Sequence, residues 1–313
     1  MSSDKEHPFL ARRMARCPDA LVQRAATSRA KVTAIAGAGT GPALAAARAG
    51  VDSGLMDPLF IGRTGDIIAK AETIGWDISD YGIVDAGSEE EAAAIAVDAC
   101  RDGTASVLMK GLVHSDILLK AVLDRNKGLR TGNRLVHVFV LFPSGGGRPL
   151  AISDAAVNVA PDFETRKSAT RKTVEILHRL GVQRPRIAFL SATEIPIASV
   201  PSSIEARSLR DWAHAELPDA AFSGPLATDL ALSPEAARIK NIQGDPVAGH
   251  ADGIIVPDIV SGNALYKALV YVAGACAGGV VTGASAPILL TSRADPPEAR
   301  LASLALAVMM AEN

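Results

Sequence analysis

Aromatic residues make up only 4% of this 313-residue chain. That scarcity argues against an exposed aromatic platform on which nucleic-acid bases stack. Cysteine is nearly absent: Cys17, Cys100 and Cys276 lie far apart, form no CxxC pair and have no paired histidine spacing nearby. A disulfide framework and a metal centre are therefore not expected, and a reducing cytoplasm is the natural setting. Charge of neither sign dominates, with 32 Lys plus Arg against 34 Asp plus Glu and a formal net charge of −2. No global field draws nucleic acid or an anionic membrane, so any anion has to be captured locally. The N-terminal stretch MSSDKEHPFLARRMARCPDA has no apolar core of the kind that secretion signals carry. One uncharged stretch, residues 268–291, is cut by Gly274, Gly278, Gly279, Gly283 and Pro287. It falls short of the ~20 unbroken apolar residues that a spanning helix needs, and is expected to be a short helix followed by two strands.

What is present is a folded, core-forming composition, 48% hydrophobic and 21% charged. Apolar runs of strand length alternate with Ala-rich helical segments: KVTAIAGA, DPLFIG, ASVLMKG, HVFVLF, PLAISDA, RIAFLSA, DGIIVPD, GGVVTGA and PILLTSR. Such alternation predicts an α/β fold with a mostly parallel sheet and right-handed crossovers. The adjacent strands at 137–142 and 149–153, joined by the Gly-rich link 144–147, are the place for an antiparallel pair. A long helix is expected over about 162–181, ended by Gly181 with Pro185 beyond it. A domain border near 143–148, with the chain returning near Pro287, gives domains of 1–143 plus 288–313 and of 144–287.

GAGTGPA (37–43) follows a strand and opens a helix, which is where dinucleotide-binding loops occur. However, the third glycine of that fingerprint falls on Pro42, and the next strand ends in Arg63 rather than an acid. A structural turn with proline at the helix start explains it better. The six histidines show neither metal spacing nor a Ser/His/Asp order.

Other strand ends carry more chemistry. Lys110 follows the apolar VLM strand, with Ser115 and Asp116 at the start of the next helix, where they can cap it. Arg130 and Arg134 stand in the Gly-flanked turn GLRTGNR. On SDAAVN, Asp154 and Asn158 share a face if a helix begins there, while an irregular turn is an equal alternative. Asp258 stands at a strand end, with Asn263 near a helix start and Lys267 one turn on. In ILLTSRADPPEARLAS, Ser292, Arg293 and Asp295 lie where a strand stops and a helix begins at Pro296-Pro297. Asp295 is expected to be the N-cap, and Arg293 offers a planar cation suited to phosphate or a developing oxyanion.

Together the motifs LMKG, GLRTG, LVHVFV, SDAAVNVAPD, SGPLATDLALSPEAARIK, DPVAGHADGIIVPDIVSGNALYKALVY and APILLTSRAD run in order from about residue 55 to 305. In that order they resemble the phosphate acetyltransferase/phosphate butyryltransferase family, most closely its butyryl-type branch. The resemblance implies two three-layer α/β domains with a cleft between them, like those of the isocitrate/isopropylmalate dehydrogenases. It implies transfer of a short acyl group between coenzyme A and inorganic phosphate, with coenzyme A as co-substrate and neither a metal nor an organic cofactor required. Carried over by position, Ser292 and Arg293 hold phosphate and the thioester carbonyl. Asn158, Asp258 and Asn263 line the cleft, with Lys110, Ser115 and Arg130 on its other wall. A cytoplasmic homodimer or larger homo-oligomer is the expected form, with no nucleic-acid or membrane partner.

The chain departs from its relatives at several points. Where acetyl-type members carry an aspartate proposed as the thiol base, Ala299 stands, and Asp295 is the substitute carboxylate. The usual Asp-Gly-Pro-Leu is Ser223-Gly224-Pro225-Leu226, a frequent Asn is Leu230, and residues 193–203 read TEIPIASVPSS. These departures keep open the alternative of a catalytically inactive CoA-binding paralogue that serves as a sensor or assembly subunit. A dehydrogenase of the same fold would need a cluster of metal-binding aspartates, which the sequence does not show.

Overall fold

A computed structural model of the chain describes residues 7–27, 29–242, 244–290 and 295–311. The chain divides into two compact units, the first made of Cys17–Leu135 with Gly278–Asn313 and the second of Met1–Arg16 with Val136–Ala277. The borders expected from sequence were 143/144 and 287/288. The strand before the Gly-rich link pairs with the strand after it, and that hydrogen bonding keeps 136–142 with the second unit.

The first unit begins with α1 (Asp19–Ala25) and then alternates β1 (Lys31–Ala36), α2 (Gly41–Asp52), β2 (Met56–Gly62), α3 (Thr64–Thr73), β3 (Gly82–Asp85), α4 (Glu89–Arg101), β4 (Val107–Lys110) and α5 (Ser115–Val122). β1 pairs in parallel with both β2 and β4, and β2 with β3. The chain thus moves outward from β1 to β3 and returns to the other side of β1, the reversal at which open α/β sheets build ligand sites. Ala34, Ile35, Ala36, Val107 and Leu108 are completely buried, as strands covered on both faces require. β3 went unseen in the sequence because it is a short, largely exposed edge strand with little apolar signal.

The second unit contains β5 (Val136–Phe142), β6 (Leu150–Ser153), α6 (Phe163–Arg179), β7 (Arg186–Leu190), α7 (Pro201–Glu216), β8 (Ala221–Leu226), α8 (Thr228–Leu232), α9 (Pro234–Ile239), β9 (Gly253–Ile255) and α10 (Ile259–Lys267). β5 and β6 are antiparallel, as expected, and β6, β9, β7 and β8 follow in parallel. α6 runs from its Asp162 cap, which accepts from the Thr165 amide at 2.7 Å, to Gly181 at φ +89. β8 also escaped the sequence reading, because its Gly224-Pro225 reads as a strand breaker. Proline is tolerated there because β8 is the edge of this unit's strand order. Ile152, Ala188, Leu190, Ile254, Val256 and Leu230 form the core of this unit.

The chain then continues through β10 (Cys276–Thr282), whose residues from Gly278 on belong to the first unit, β11 (Ile288–Leu289) and α11 (Pro297–Met310). β11 is antiparallel to β10 and parallel to β4, with Leu289 level with Met109. The uncharged 268–290 stretch is accordingly a π-helical turn (Ala268–Val272) followed by two strands. Among the described residues no helix is long and apolar enough to cross a membrane.

Candidate active site

In the first unit Lys110 lies at the C-terminal end of β4, and Arg130 lies in a turn beside the segment that leads into β11. Lys110 closes β4, half-buried, with its Nζ donating to the Val113 carbonyl at 3.3 Å. The helix after it starts at Ser115, but the capping position belongs to His114, which makes no side-chain cap bond. His114 turns instead to Glu89, with its backbone N–H donating to Oε2 at 2.7 Å and Nδ1 lying 2.8 Å from the same oxygen. Ser115 is therefore an exposed first-turn hydroxyl and not a cap. Asp116 lies in the same turn, where a carboxylate suits the helix dipole.

The GLRTG turn is tied to the approach to β11. Arg130 bridges Ala284, Thr131 Oγ1 donates to the Gly283 carbonyl at 2.6 Å, and the Ser285 amide donates to the Leu129 carbonyl at 2.9 Å. Gly283 is required here. Its φ is +100, and a Cβ would lie only 2.1 Å from the Arg134 carbonyl oxygen. An exposed Arg130 is thus held beside the segment that feeds β11, although 152 residues separate Thr131 from Gly283.

Ser292 and Arg293 lie outside the described residues. Asp295 is described, and it does not stand at the N-cap position of α11. The cap is Pro296, without a side-chain cap bond, and Pro297 begins the helix. A residue before proline is held extended, which leaves Asp295 one position too early to cap. A second carboxylate stands in the first turn of α11: Glu298 Oε2 accepts from the Cys17 amide at 2.8 Å and so ties α11 to the start of the first unit.

The second unit brings four of its five expected residues together. Asp154 follows β6 and is almost fully buried, and both of its oxygens are occupied. Oδ1 accepts from the amides of Ala156 at 2.9 Å and Val157 at 3.0 Å. Oδ2 accepts from the His137 amide at 3.1 Å and from Asn158 Nδ2 at 2.6 Å. Residues 154–158 are therefore an irregular turn wound about one carboxylate, not a helix. That turn docks on the head of α10. The Ile259 amide donates to the Val159 carbonyl at 3.1 Å, and Asn263 Nδ2 reaches the Ala155 carbonyl at 3.4 Å. Gly262 makes the contact possible, since a Cβ there would lie 3.0 Å from the Asp154 carbonyl oxygen. Asp258 caps α10 by accepting from the Ser261 amide at 2.9 Å. Lys267, the last residue of α10, is exposed and stands apart from this cluster.

Two buried basic side chains beside this cluster were not singled out from the sequence. His137 is 3% exposed on β5, and burial lowers its pKa from 6.5 to about 4, opposed by the nearby charge of Asp154. Its ring lies against Phe139 with centroids 4.1 Å apart. Arg166, in the first turns of α6, is 1% exposed and pairs through Nη1 with Glu205 Oε2 at 2.8 Å. Burial lowers its pKa, against the attraction of Glu205 and then Asp258. A titratable residue inside an apolar strand, as in HVFVLF, was the available signal for His137.

The departures noted in the sequence have structural roles. Ser223, buried on β8, donates to Asp245 Oδ2 at 2.5 Å, while Oδ1 of that carboxylate holds the amides of Val247 and Ala248. Leu230 is a core residue. In the 193–203 segment, Glu194 pairs with Lys240 at 3.0 Å, and the Ser203 hydroxyl accepts from the Ile197 amide at 2.9 Å. The GAGTGPA loop is a capped turn in which Thr40 accepts from the Ala43 amide at 3.4 Å. It borders an open pocket of about 370 Å³ shared by Gly37, Gly62, Arg63, Glu89 and Leu112, which none of the expected site residues lines.

Residues 88–308 match the family described as phosphate acetyl/butaryl transferase. The chain belongs to that family. Members of it are acyltransferases, and the relatives carry both names. The chain is 35% identical over 294 residues to the phosphate butyryltransferase of Clostridium acetobutylicum, covering 94% of this chain and 97% of that protein. It is 39% identical over 294 residues to the phosphate acetyltransferase of Rhizobium meliloti, covering 94% of this chain and 93% of that one. Among solved structures it is similar to a branched-chain phosphotransacylase from Enterococcus faecalis, at 30% identity and a TM-score of 0.80, over 90% of this chain and 99% of that one.

Proposed function

We propose that this acyltransferase moves a short acyl group between coenzyme A and inorganic phosphate: acyl-CoA + phosphate ⇌ acyl phosphate + CoA. The observation that carries the reading is near full-length similarity to transferases named for this reaction. The clustering of Asp154, Asn158, Asp258 and Asn263 in one unit, and the place of Lys110 at the end of β4 in the other, support it. A phosphate oxygen attacks the thioester carbonyl, a tetrahedral oxyanion forms, and collapse breaks the C–S bond with the electron pair leaving on sulfur. Two negative charges then meet at one carbon, which calls for a fixed cation, the role proposed for Arg293 beside Ser292. Loss of one such donor typically costs on the order of 10²–10³ in rate. In the reverse direction the thiol needs a base. Asp295 is the carboxylate proposed for that task in place of the aspartate that Ala299 replaces.

The reaction needs neither a metal nor a bound organic cofactor. A cytoplasmic setting, supported by the cysteine content, and a homodimer or larger homo-oligomer complete the proposal. Similarity to relatives named as transferases favours the active enzyme over an inactive paralogue. The test is phosphate-dependent release of CoA from acetyl-, propionyl- and butyryl-CoA. If none of the three supports turnover in protein that binds CoA, the reading fails.

A further inference from the structure

We infer that the open pocket of about 370 Å³ at the C-terminal ends of β1, β2 and β3 receives the 3′-phosphoadenosine end of coenzyme A, and that Arg63 selects its 3′-phosphate. The inference rests on the acyl-transfer reading above and adds which part of the co-substrate the first unit holds. Every residue that lines the pocket belongs to that unit. Its volume is that of a small-molecule site. Backbone bonds join its wall to the end of the strand that carries Lys110: the Gly111 amide donates to the Ala36 carbonyl at 2.8 Å, and the Leu112 amide to the Gly37 carbonyl at 2.7 Å.

The lining has both polarities. Arg63 stands just beyond β2 and is exposed, and among the described residues its guanidinium makes neither a hydrogen bond nor an ion pair. Its charge favours the ionised form of Asp85, but Asp85 Oδ1 is taken by the amide and the hydroxyl of Thr64, each at 2.9 Å. Arg63 is also the N-cap of α3, where the helix dipole adds positive potential to the cation's own and an anion is favoured. Asp66 and Glu89 line the same pocket and supply hydrogen-bond acceptors. Ala86, Ala92 and Leu112 make it apolar elsewhere, and Leu112 is 46% exposed. Inorganic phosphate would meet two carboxylates here, and a simple cation would meet Arg63. The ligand that fits is anionic at one end, carries donors at another and has an apolar face. 3′-Phosphoadenosine has all three, in its phosphate monoester, its hydroxyl and 6-amino groups, and its purine ring. In doubly wound nucleotide folds an arginine near the end of the second strand likewise takes a phosphate on the ribose.

The test compares coenzyme A with 3′-dephospho-coenzyme A, which differ only in that phosphate. Binding of both, and of inorganic phosphate, is measured by calorimetry for wild type, Arg63→Ala and Leu112→Ala, beside the KM for acyl-CoA. Both side chains are exposed and Arg63 makes no side-chain cap bond, so neither truncation takes anything from the core. Wild type should bind CoA about tenfold more tightly than dephospho-CoA, the worth of one charge-assisted hydrogen bond. Arg63→Ala should abolish that preference by weakening CoA alone, and the KM for acyl-CoA should rise by the same factor. Leu112→Ala should weaken CoA and dephospho-CoA alike.

A wild type without preference for CoA overturns the inference, as does a loss in Arg63→Ala that falls equally on dephospho-CoA. Weakened binding of inorganic phosphate in Arg63→Ala also overturns it, since the anion held would then be the free substrate. Unchanged affinities in Leu112→Ala would take the adenosine out of this pocket and overturn it too. Adenosine 3′,5′-bisphosphate should bind more tightly than the 2′,5′ isomer, and the reverse order would point to a different nucleotide and not to CoA. A wild type that shows the preference yet turns over no acyl-CoA would sink the acyl-transfer reading, whereas the binding results still decide this one.

Discussion

His137 makes the stability of the protein depend on pH in a way that one substitution isolates. The imidazole is buried on β5, and burial lowers its pKa from 6.5 to about 4, although the nearby Asp154 charge pulls the other way. The unfolded chain therefore takes up a proton before the folded chain does. The contribution is fully present above 6.5, is lost as pH falls from 6.5 toward 4, and is exhausted below that. A gap of about two and a half pH units corresponds to about 3 kcal/mol in all, of which about 2 kcal/mol falls between pH 7 and pH 5. His137→Phe removes the titration and keeps a ring against Phe139. Among the described residues Nδ1 has no hydrogen-bond partner, so the change breaks no side-chain bond at that atom. Equilibrium urea unfolding at pH 7 and pH 5 gives four free energies. The cost of packing a new ring is common to both pH values, and carboxylates elsewhere titrate alike in both proteins, so both cancel in the double difference. Wild type should lose about 2 kcal/mol more than His137→Phe between those pH values. Equal losses in the two proteins would refute a buried neutral imidazole as the source.

Arg293→Ala should leave the fold intact, as judged by circular dichroism and thermal melting, and lower turnover by about 10²-fold or more; a near-normal rate removes Arg293 from the reaction. Asp295→Asn should lower the rate of CoA-thiol attack per folded molecule, measured in the acyl phosphate direction with folding checked by thermal melting; an unchanged rate in folded protein removes Asp295 from the base role. Gly283→Ala should destabilise by several kcal/mol, since the residue sits at φ +100 with an added Cβ 2.1 Å from the Arg134 carbonyl; an unchanged unfolding midpoint would contradict that contact. Ser223→Asp restores the family's usual residue but sets a second carboxyl against Asp245. Like charges so close cannot both ionise, so its melting temperature should fall at pH 8 and recover in part at pH 5.

The sequence makes the interior elements legible and the edges obscure. β1, β4, β5 and β7 are runs of Val, Ile, Leu and Ala buried on both faces, and such runs announce themselves without any partner. β3 and β8 sit at the ends of the strand order, where one is mostly exposed and the other contains Gly-Pro, so neither leaves an apolar signature. Helix termini divide in the same way. α6 follows the local rules, with Asp162 to open it and Gly181 to close it. α11 does not, because consecutive prolines move its start one residue past the obvious cap.

The candidate site residues stand out in the sequence by type, but their local structure does not, and Asp154 shows why. Spacing of four between Asp154 and Asn158 is compatible with a helical face or a turn, and nothing local decides between them. The deciding bond comes from the His137 amide, seventeen residues away on the neighbouring antiparallel strand. The same reasoning applies to Ser223. Compared by position with its relatives it reads as a lost aspartate, hence as a sign of lost activity. In the fold the hydroxyl is a donor to Asp245, a carboxylate already committed to the Val247 and Ala248 amides. An acid at 223 would face that carboxylate, so serine is the choice consistent with aspartate at 245. A substitution at one position is therefore interpretable only with the group that faces it, and that group lies 22 residues downstream in the chain.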